Sequence, residues 1–366
     1  MDSYQLYKIR VPLGREIGDN NCAYERFDVC ALRLDSGGVS GWGFGEKAHG
    51  GRFAKPVSWK EDMPGETALR EEMAAVWPDL KGRSAADLLE ELPCPWQPWR
   101  VGNPLHAALR MALWDLRGRE AGEPLFRHLG GANTPDNLFA YASPCAFPQT
   151  DDWLAEFFAV KVADGFSAVK VKVGHPDIER DIERLRRVRE AVGPDVAINV
   201  DGNTAWDGAG ALRWMELVAE AGVAPGYVED PIPPDDLDGY RLLARESPLR
   251  IVGHDYVPDP VRLRPLLDTG ALGGIRLRDG IDFCLAGAQL AEEYDLPLIQ
   301  CNTFGEHAIH FALTGSRMER MEFADLGWNA LFEEPVAPVG GRLKAPSGNG
   351  LGLLPKAALL EKWRVR

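Results

Sequence analysis

Two lysines and three acidic residues stand at the ends of short, mostly apolar runs of sequence. Lys170 and Lys172 lie in the first run, and Asp201, Glu229 and Asp255 end the three runs that follow. Successive groups lie roughly 30 residues apart, which is the length of one strand–helix unit. Charged groups at the carboxyl ends of successive parallel strands form the active face of a barrel enzyme. The spacing therefore predicts that these five side chains meet at one end of a barrel.

The three acids favour a metal site. Carboxylates on neighbouring strand ends repel one another, and a hard divalent cation removes that cost. Ligation by oxygen alone suits Mg²⁺, so we predict a Mg²⁺ site formed by Asp201, Glu229 and a third ligand. His254 and Asp255 both stand where the third ligand is needed, and the preference of Mg²⁺ for oxygen favours Asp255. Each acid taken alone is better explained as a solvated strand end or a helix N-cap, and only the three together favour a metal site.

The lysine pair favours proton transfer. Lys170 and Lys172 are two residues apart in the strand-like run AVKVKV, so both point to the same side, here into the barrel, while the valines point to the helices. Two neighbouring ammonium groups depress each other's pKa, which predicts that one lysine serves as a base near neutral pH. Lysines that protect an exposed sheet edge are the alternative, but a central barrel strand has no free edge.

The elements that would position these residues alternate regularly from about residue 138 onward. Strand-like runs and amphipathic helices follow each other over seven or eight units, which predicts a parallel sheet closed into a (β/α) barrel. An open doubly wound sheet is the alternative, but its Gly-rich first turn is missing. Before the barrel, residues 1–46 read as antiparallel strands and residues 65–130 as helices, which predicts an α+β domain. The polar loop over residues 14–24 is predicted to be exposed and mobile.

Composition excludes several classes of function. The chain has 366 residues, 45% of them hydrophobic and 26% charged, and a formal net charge of −14. This charge argues against nucleic acid and membrane surfaces as partners, but not against a small anionic substrate. The six cysteines show no paired spacing, and neither a signal peptide nor a long apolar run is evident, so we expect a cytoplasmic enzyme. A homo-oligomer is expected, without a defined number of subunits.

Five motifs in this order resemble the enolase superfamily, in particular its mandelate racemase and muconate-lactonising branches. Nearly the whole chain is covered by the resemblance. The matching segments are HAALRMALWDLRGREAGEPLFRHLGG (106–131), AVKVKVG, VDGNTAW, VEDP and APSGNGLGL. Each motif is modest by itself, and their order makes the resemblance specific.

The resemblance implies a fold, a domain arrangement and a chemistry. The fold is α/β, a modified TIM barrel of the (β/α)₇β type with a capping domain built from both ends of the chain. The expected boundaries are 1–132 for the N-terminal capping part, 133–335 for the barrel and 336–366 for the C-terminal return segment. The shared chemistry removes the proton α to a carboxylate, with Mg²⁺ stabilising the enediolate. By resemblance, Lys172 is the base, Lys170 helps to hold the substrate carboxylate, and Glu322 matches the family's strand-eight carboxylate.

The departures from the family lie on the opposite wall of the pocket. Arg276 and Arg278 stand where muconate-lactonising and epimerising members place a second lysine. Asn302 stands where racemases and many sugar-acid dehydratases place a histidine, while Asp279 remains in the region of that histidine's aspartate partner. The family's usual Gly-Glu pattern, laid on Gly253, would place His254 at the third ligand position.

These departures leave a base on one face of the substrate only. A one-base reaction, such as syn elimination of water from a sugar acid or hydroxy acid by Lys172, is therefore the first hypothesis. Arg278 would polarise the leaving hydroxyl or bind a distal carboxylate. A racemase, epimerase or cycloisomerase with an unconventional second base such as Cys301 is the alternative, and a non-catalytic protein that kept the cation site is another. Specificity is expected from residues 14–25 and 47–52, and His307 and His310 are expected to be structural.

Overall fold

The structure is a computed structural model that covers most of the chain. The described residues are 1–53, 63–92, 103–131, 137–257, 259–278, 280–301, 308–315 and 317–365. Asp279, Asn302 and His307 lie outside them.

The N-terminal part begins with an antiparallel sheet in which β3 is the central strand. It pairs with β1, β2 and β4. Hydrophobic side chains alternate along β1 and face the core, as the sequence pattern indicates. Gly43 lies so close to the helix Pro104–Ala121 that a Cβ atom there would be 1.9 Å from the carbonyl oxygen of Ala108, so only glycine allows this packing. The strands are β1 (Ser3–Val11), β2 (Ile17–Gly18), β3 (Cys22–Ser36) and β4 (Val39–Phe53).

Helices follow this sheet, and the longest of them packs on it. Helix α3 begins where the Asn103 side chain accepts hydrogen bonds from the amides of Leu105 and His106. It ends at Gly122, which adopts the left-handed conformation that favours glycine. The helices are α1 (Glu66–Leu80), α2 (Ala85–Glu91), α3 (Pro104–Ala121) and α4 (Leu125–His128).

The barrel is formed by a continuous parallel sheet whose last strand pairs with its first. Within the described residues, eight strands follow one another in chain order, and β12 closes the ring against β5. The strands are β5 (Asn137–Ala142), β6 (Ala168–Lys172), β7 (Ala197–Asp201), β8 (Val228–Glu229), β9 (Ile251–Gly253), β10 (Leu272–Leu277), β11 (Leu298–Gln300) and β12 (Met318–Phe323).

A helix separates each pair of successive barrel strands. Several of these helices begin at an Asp or Thr whose side chain caps the first turn, among them Asp177, Asp207 and Asp236. The helices are α5 (Asp151–Ala163), α6 (Ile178–Val192), α7 (Gly208–Glu220), α8 (Leu237–Glu246), α9 (Pro260–Leu267), α10 (Ile281–Glu293) and α11 (Ile309–Ala312). Across the described part of the chain, no helix combines the length and apolar character needed to span a membrane.

The segment after β12 runs back to the N-terminal part. A 3₁₀ turn (Gly327–Leu331) is followed by β13 (Arg342–Lys344), which pairs antiparallel with β5, and by α12 (Ala357–Lys362). The amide of Leu351 donates to Oδ1 of the buried Asp115 at 2.6 Å, and Arg364 pairs with Glu66. The predicted (β/α)₇β barrel with a cap of antiparallel strands and helices is confirmed.

The loop between β1 and β3 differs from its prediction. The sequence predicted an exposed and mobile loop, but Asp19 and Asn21 are buried. The side chain of Asn20 donates to the Gly202 carbonyl at 3.0 Å, and that of Asn21 donates to the Asn203 carbonyl at 2.6 Å. The polar residues that suggested exposure instead satisfy backbone groups at the mouth of the barrel, because buried carbonyls need donors.

His310, predicted to be structural, makes stability depend on pH. Its Nδ1 accepts from the Phe126 amide and its Nε2 donates to the Leu351 carbonyl, so the ring is neutral, and burial lowers its pKa from 6.5 to about 4. Because the pKa of His310 is lower in the folded than in the unfolded state, its neutral ring contributes fully to stability above pH 6.5. This contribution decreases as the pH falls from 6.5 to about 4. We expect urea unfolding to report a loss of about 3 kcal/mol from this residue. His310→Gln should weaken the dependence, whereas replacing the exposed His175 by Gln should not alter it.

Candidate active site

Strand register brings Lys172, Asp201 and Glu229 to the same height in the barrel. Lys172 is the register partner of Asp201 across β6 and β7, and Asp201 is the partner of Glu229 across β7 and β8. Each of the three ends its strand, so the side chains point to the carboxyl-terminal mouth, where barrel active sites lie. The valines of β6 are buried against the helices, as the alternation predicts.

Lys170 lies below this level and is surrounded by carboxylates. Its side chain is 1% exposed, and its Nζ is 2.9 Å from each carboxylate oxygen of Glu229 and 3.0 Å from Oε1 of Glu322. Burial by itself lowers the pKa of this amine, but Glu229 and Glu322 keep the pKa well above its usual value. Lys170 is therefore a fixed positive charge that holds two acids together.

Lys172 is the more accessible lysine. Its side chain is 12% exposed, and its Nζ donates to Oδ2 of Asp201 at 2.5 Å and to Oδ1 of Asn203 at 3.0 Å. Burial and the charge of Lys170 lower its pKa, but Asp201 raises it, and the net pKa lies above the usual value. The prediction that the lysine pair gives a lowered pKa is therefore wrong, because it did not include the opposite charge of Asp201 at hydrogen-bond distance.

Arg276 enters the same site from the opposite side of the barrel. It lies on β10 with 1% of its side chain exposed. Its Nε is 2.8 Å from Oε1 of Glu229 and 2.9 Å from Oδ1 of Asp255. Its two Nη atoms donate to the Tyr141 hydroxyl at 2.6 Å and to Oε2 of Glu322 at 2.5 Å. One guanidinium thus links three carboxylates from three parts of the barrel.

The acids are consequently not the unpaired cluster that the sequence suggested. Asp255 also accepts from Nη1 of Arg278 at 3.2 Å, so its two oxygens bind two arginines. These arginines outweigh burial and lower the pKa of Asp255. Protein cations neutralise Asp201, Glu229, Asp255 and Glu322, and the electrostatic need for a metal is smaller than predicted.

His254 and Asp255 differ in orientation. The Nε2 of His254 lies 3.1 Å from the Ile232 carbonyl, and its Nδ1 accepts from the Tyr256 amide at 3.0 Å. Both ring nitrogens are therefore used by the backbone, while the carboxylate of Asp255 faces Arg276 and Glu229. Between the two candidates for the third ligand, the geometry favours Asp255.

The carboxylates can still accommodate a small cation. Single oxygens of Glu229, Asp230 and Asp255 lie within 4.8 Å of one another, and ligands on opposite sides of Mg²⁺ are separated by about 4.2 Å. Among the described residues, none hydrogen-bonds to the buried Oδ1 of Asp230, and burial raises the pKa of this carboxyl to about 6. An all-oxygen donor set with one unpaired atom is compatible with Mg²⁺, and it adds Asp230 to the candidates from the sequence.

The remaining candidates lie at the other strand ends. Glu322 is 1% exposed at the end of β12, and although burial opposes it, Lys170 and Arg276 hold its pKa well below the usual value. Cys301 follows β11 and is buried, which raises the pKa of its thiol. Asn302 and Asp279, the predicted departures on this wall, lie outside the described residues.

Sequence reasoning gave no role to three residues that shape this site. Asn203 binds the amine of Lys172, Tyr141 binds Arg276, and Asp230 supplies the unpaired oxygen. Two signals were present, because Asp230 directly follows Glu229 and Asn203 follows Asp201 by two residues. No local signal marks Tyr141, whose contact spans 135 residues of sequence.

Comparison with known proteins gives consistent relatives. The family described as Enolase C-terminal domain-like matches residues 153–359. The 3,6-anhydro-alpha-L-galactonate cycloisomerase of Streptomyces coelicolor is 27% identical, with 94% of each chain covered. The arabinonate dehydratase of Saccharolobus solfataricus is 28% identical, with 70% of each chain covered.

A solved structure agrees over the full length. A racemase from Streptomyces coelicolor A3(2), crystallised with bound magnesium, is 25% identical with a TM-score of 0.84 and covers 100% of this chain and 99% of its own. The relatives include dehydratases, cycloisomerases and epimerases, which identifies a group of enzymes without selecting one reaction. The family match, the barrel topology and the strand-end residues together show that the chain belongs to the enolase superfamily, as a member of its mandelate racemase and muconate-lactonising type.

Proposed function

We propose that this protein is a Mg²⁺-dependent enzyme that removes the proton α to the carboxylate of a small sugar acid or hydroxy acid. The observation that carries the proposal is the level formed by Lys172, Asp201 and Glu229, in register at the mouth of the barrel. It combines an accessible amine with the carboxylates of a cation site. Lys172 is the proposed base, because its side chain is 12% exposed whereas that of Lys170 is 1% exposed. Asp201 raises the pKa of this amine, and a cation bound to Asp201 would reduce that effect.

The other side chains of the site orient the reacting groups. Asn203 and Asp201 fix the Nζ of Lys172, so the amine points to one face of a bound substrate. Lys170 holds Glu229 and Glu322 in place and adds positive charge near the substrate carboxylate. A base held in one position lowers the entropic cost of proton transfer.

Asp201, Glu229 and Asp255 are the proposed Mg²⁺ ligands, with Asp230 as a further candidate. When bound, Mg²⁺ would supply positive charge that stabilises the developing enediolate. The support for Glu229, Asp255 and Asp230 lies in their clustered oxygens, that for Asp201 in its register pairing with Glu229, and that for the metal in the magnesium of the Streptomyces relative.

Dehydration is the reaction that we propose first. Lys172 takes the α-proton, the Cα–H electron pair forms the new double bond, and the β-hydroxyl leaves as the C–O bond breaks. The protonated Lys172 lies on the same face and returns the proton to the leaving hydroxyl, which departs as water. Arg278, which is 6% exposed and donates to Asp255, is the proposed group that polarises that hydroxyl. The enol then tautomerises to a 2-keto-3-deoxy acid, and an arabinonate dehydratase is among the relatives.

An isomerase, either a racemase, epimerase or cycloisomerase, is the second candidate. The observation in its favour is Cys301, a buried thiol at the end of β11 with a raised pKa. Such a thiol is protonated at neutral pH and would donate a proton to the face opposite Lys172. The cycloisomerase that matches 94% of this chain supports this reading.

The test is a product screen of the purified protein with Mg²⁺ against a panel of aldonic, aldaric and simple hydroxy acids. We expect a 2-keto-3-deoxy acid from at least one sugar acid, detected as its semicarbazone and identified by NMR. Racemised or cyclised product without keto acid would instead assign the isomerase. Ligand binding without turnover across the panel, unchanged in Lys172→Ala, would identify a non-catalytic binding protein.

A further inference from the structure

Arg276 occupies the space between the proposed metal ligands. The side chain is almost completely buried, and its guanidinium contacts Glu229, Asp255 and Glu322 at distances between 2.5 and 2.9 Å. The Tyr141 hydroxyl accepts from the remaining nitrogen. All these partners are inside the barrel, so the guanidinium is held in place from several directions.

The hydrogen bonds of Arg276 use oxygens that a metal would need. Oε1 of Glu229 accepts a hydrogen bond from Lys170 at 2.9 Å and lies 2.8 Å from Nε of Arg276 in an ion pair. Oδ1 of Asp255 accepts from Arg276, and Oδ2 accepts from Arg278. A cation bound by Glu229 and Asp255 must therefore displace or share at least one of these contacts.

The positive charge of Arg276 opposes metal binding, as its contacts with the acids do. Arginine remains protonated at every pH at which the protein is folded, so its positive charge cannot be removed by proton loss. A divalent cation between Glu229 and Asp255 would lie next to this guanidinium, and the two positive charges repel each other strongly in a buried site. The carboxylates are thus shared between two cations that exclude each other.

We propose that Arg276 competes with Mg²⁺ for Glu229 and Asp255, so that the guanidinium neutralises these acids in the metal-free protein and weakens metal binding. On Mg²⁺ binding, Arg276 leaves at least one of the two acids and keeps Glu322 and Tyr141. This inference rests on the proposed function, because it takes the metal site from there. It assigns to Arg276 the role of a positioning residue that sets metal affinity.

The test compares Mg²⁺ binding by calorimetry in the wild type and in Arg276→Met, which retains the volume without the charge. We expect Arg276→Met to bind Mg²⁺ about ten-fold more tightly or better, because one repelling charge is removed. Arg250→Met is the matched control: it also removes an arginine from a carboxylate, Glu319, but this pair is partly exposed and away from the site. The control should bind Mg²⁺ like the wild type.

Thermal unfolding supplies a second readout that does not depend on activity. Arg276→Met leaves buried acids without their partner, so in the absence of Mg²⁺ its Tm should be lower than that of the wild type. Addition of Mg²⁺ should raise the Tm of this variant by more than it raises that of the wild type. Should this variant not fold, Arg276→Lys decides the question, since the shorter ammonium cannot bridge the same acids and should also strengthen Mg²⁺ binding.

The outcomes separate the two proposals. Tighter binding in the variant than in the wild type supports the competition. Equal or weaker binding in a variant of Arg276, with clear binding in the wild type, overturns the competition and leaves the proposed function standing. No Mg²⁺ binding in any of these proteins overturns the metal site, and the competition with it.

Discussion

Replacement of Lys172 by Gln is expected to lower kcat by about a thousand-fold or more while KM changes little. The amine is the proposed base, and a positioned general base contributes about 10²–10⁴ to the rate. Glutamine can retain a hydrogen bond to Asp201 or Asn203 but cannot accept a proton at neutral pH. The measurement is steady-state turnover of the substrate found in the screen, together with the Mg²⁺ affinity of the folded variant.

Lys161→Gln is the matched control for this variant. Lys161 forms an ion pair with Asp325 at 2.6 Å and is also partly buried, but it lies on helix α5 and this pair includes none of the proposed site residues. The same chemical change there should leave kcat at the wild-type value. Retention of more than a tenth of the activity in Lys172→Gln would contradict the assignment of Lys172 as the base.

The substitution Glu229→Gln is expected to have the second-largest effect. Glu229 is completely buried and contacts Lys170 and Arg276, so the neutral amide leaves two buried cations with one partner fewer. Breaking a buried ion pair in this way costs about 3 kcal/mol or more. The loss of a charged ligand should also weaken Mg²⁺ binding by about a hundred-fold and lower kcat accordingly.

Glu319→Gln provides the comparison, because its carboxylate pairs with Arg250 at the surface. There the same substitution should change the free energy of unfolding by less than about 0.5 kcal/mol and leave Mg²⁺ binding unaltered. Urea unfolding and calorimetry measure both quantities. Wild-type Mg²⁺ affinity in Glu229→Gln would show that this residue is not a ligand.

The sequence was sufficient to predict that Lys172, Asp201 and Glu229 lie together at one end of the barrel. The strand–helix repeat fixes how much chain separates one strand end from the next, and Lys172, Asp201 and Glu229 follow that spacing. In the structure they are register partners at the ends of adjacent strands. The alternation in β6 likewise predicted that both lysines point inward, because successive side chains alternate across a strand.

Pairing across the barrel could not be predicted. Arg276 was recognised as a departure from the family, but its contacts with Glu229, Asp255 and Glu322 depend on how far β10 lies from β8 and β12. The number of residues between two strands in the sequence does not determine the distance between them across the barrel. The lowered pKa predicted for the lysine pair was wrong for the same reason, since the counter-charge of Asp201 comes from another strand.

The choice of the third ligand and the position of the first loop also required the structure. His254 and Asp255 are adjacent after β9, and only the backbone groups of residues 232 and 256 determine that the imidazole is engaged elsewhere. Similarly, Asn20 and Asn21 suggested an exposed loop, whereas carbonyl groups of residues 202 and 203 bind them. A polar sequence does not show whether its partner is water or protein.

The most direct test of the proposed chemistry is exchange of the α-hydrogen in D₂O, followed by NMR, for the wild type and Lys172→Gln with Mg²⁺ over the same acid panel. We predict that the wild type incorporates deuterium at the α-carbon of at least one acid or, when water is eliminated, at C3 of the 2-keto-3-deoxy product, where solvent protonates the enol. The incorporation should disappear in Lys172→Gln and persist in Lys161→Gln. Exchange that continues unchanged in Lys172→Gln, or no exchange and no product with any acid, would contradict it.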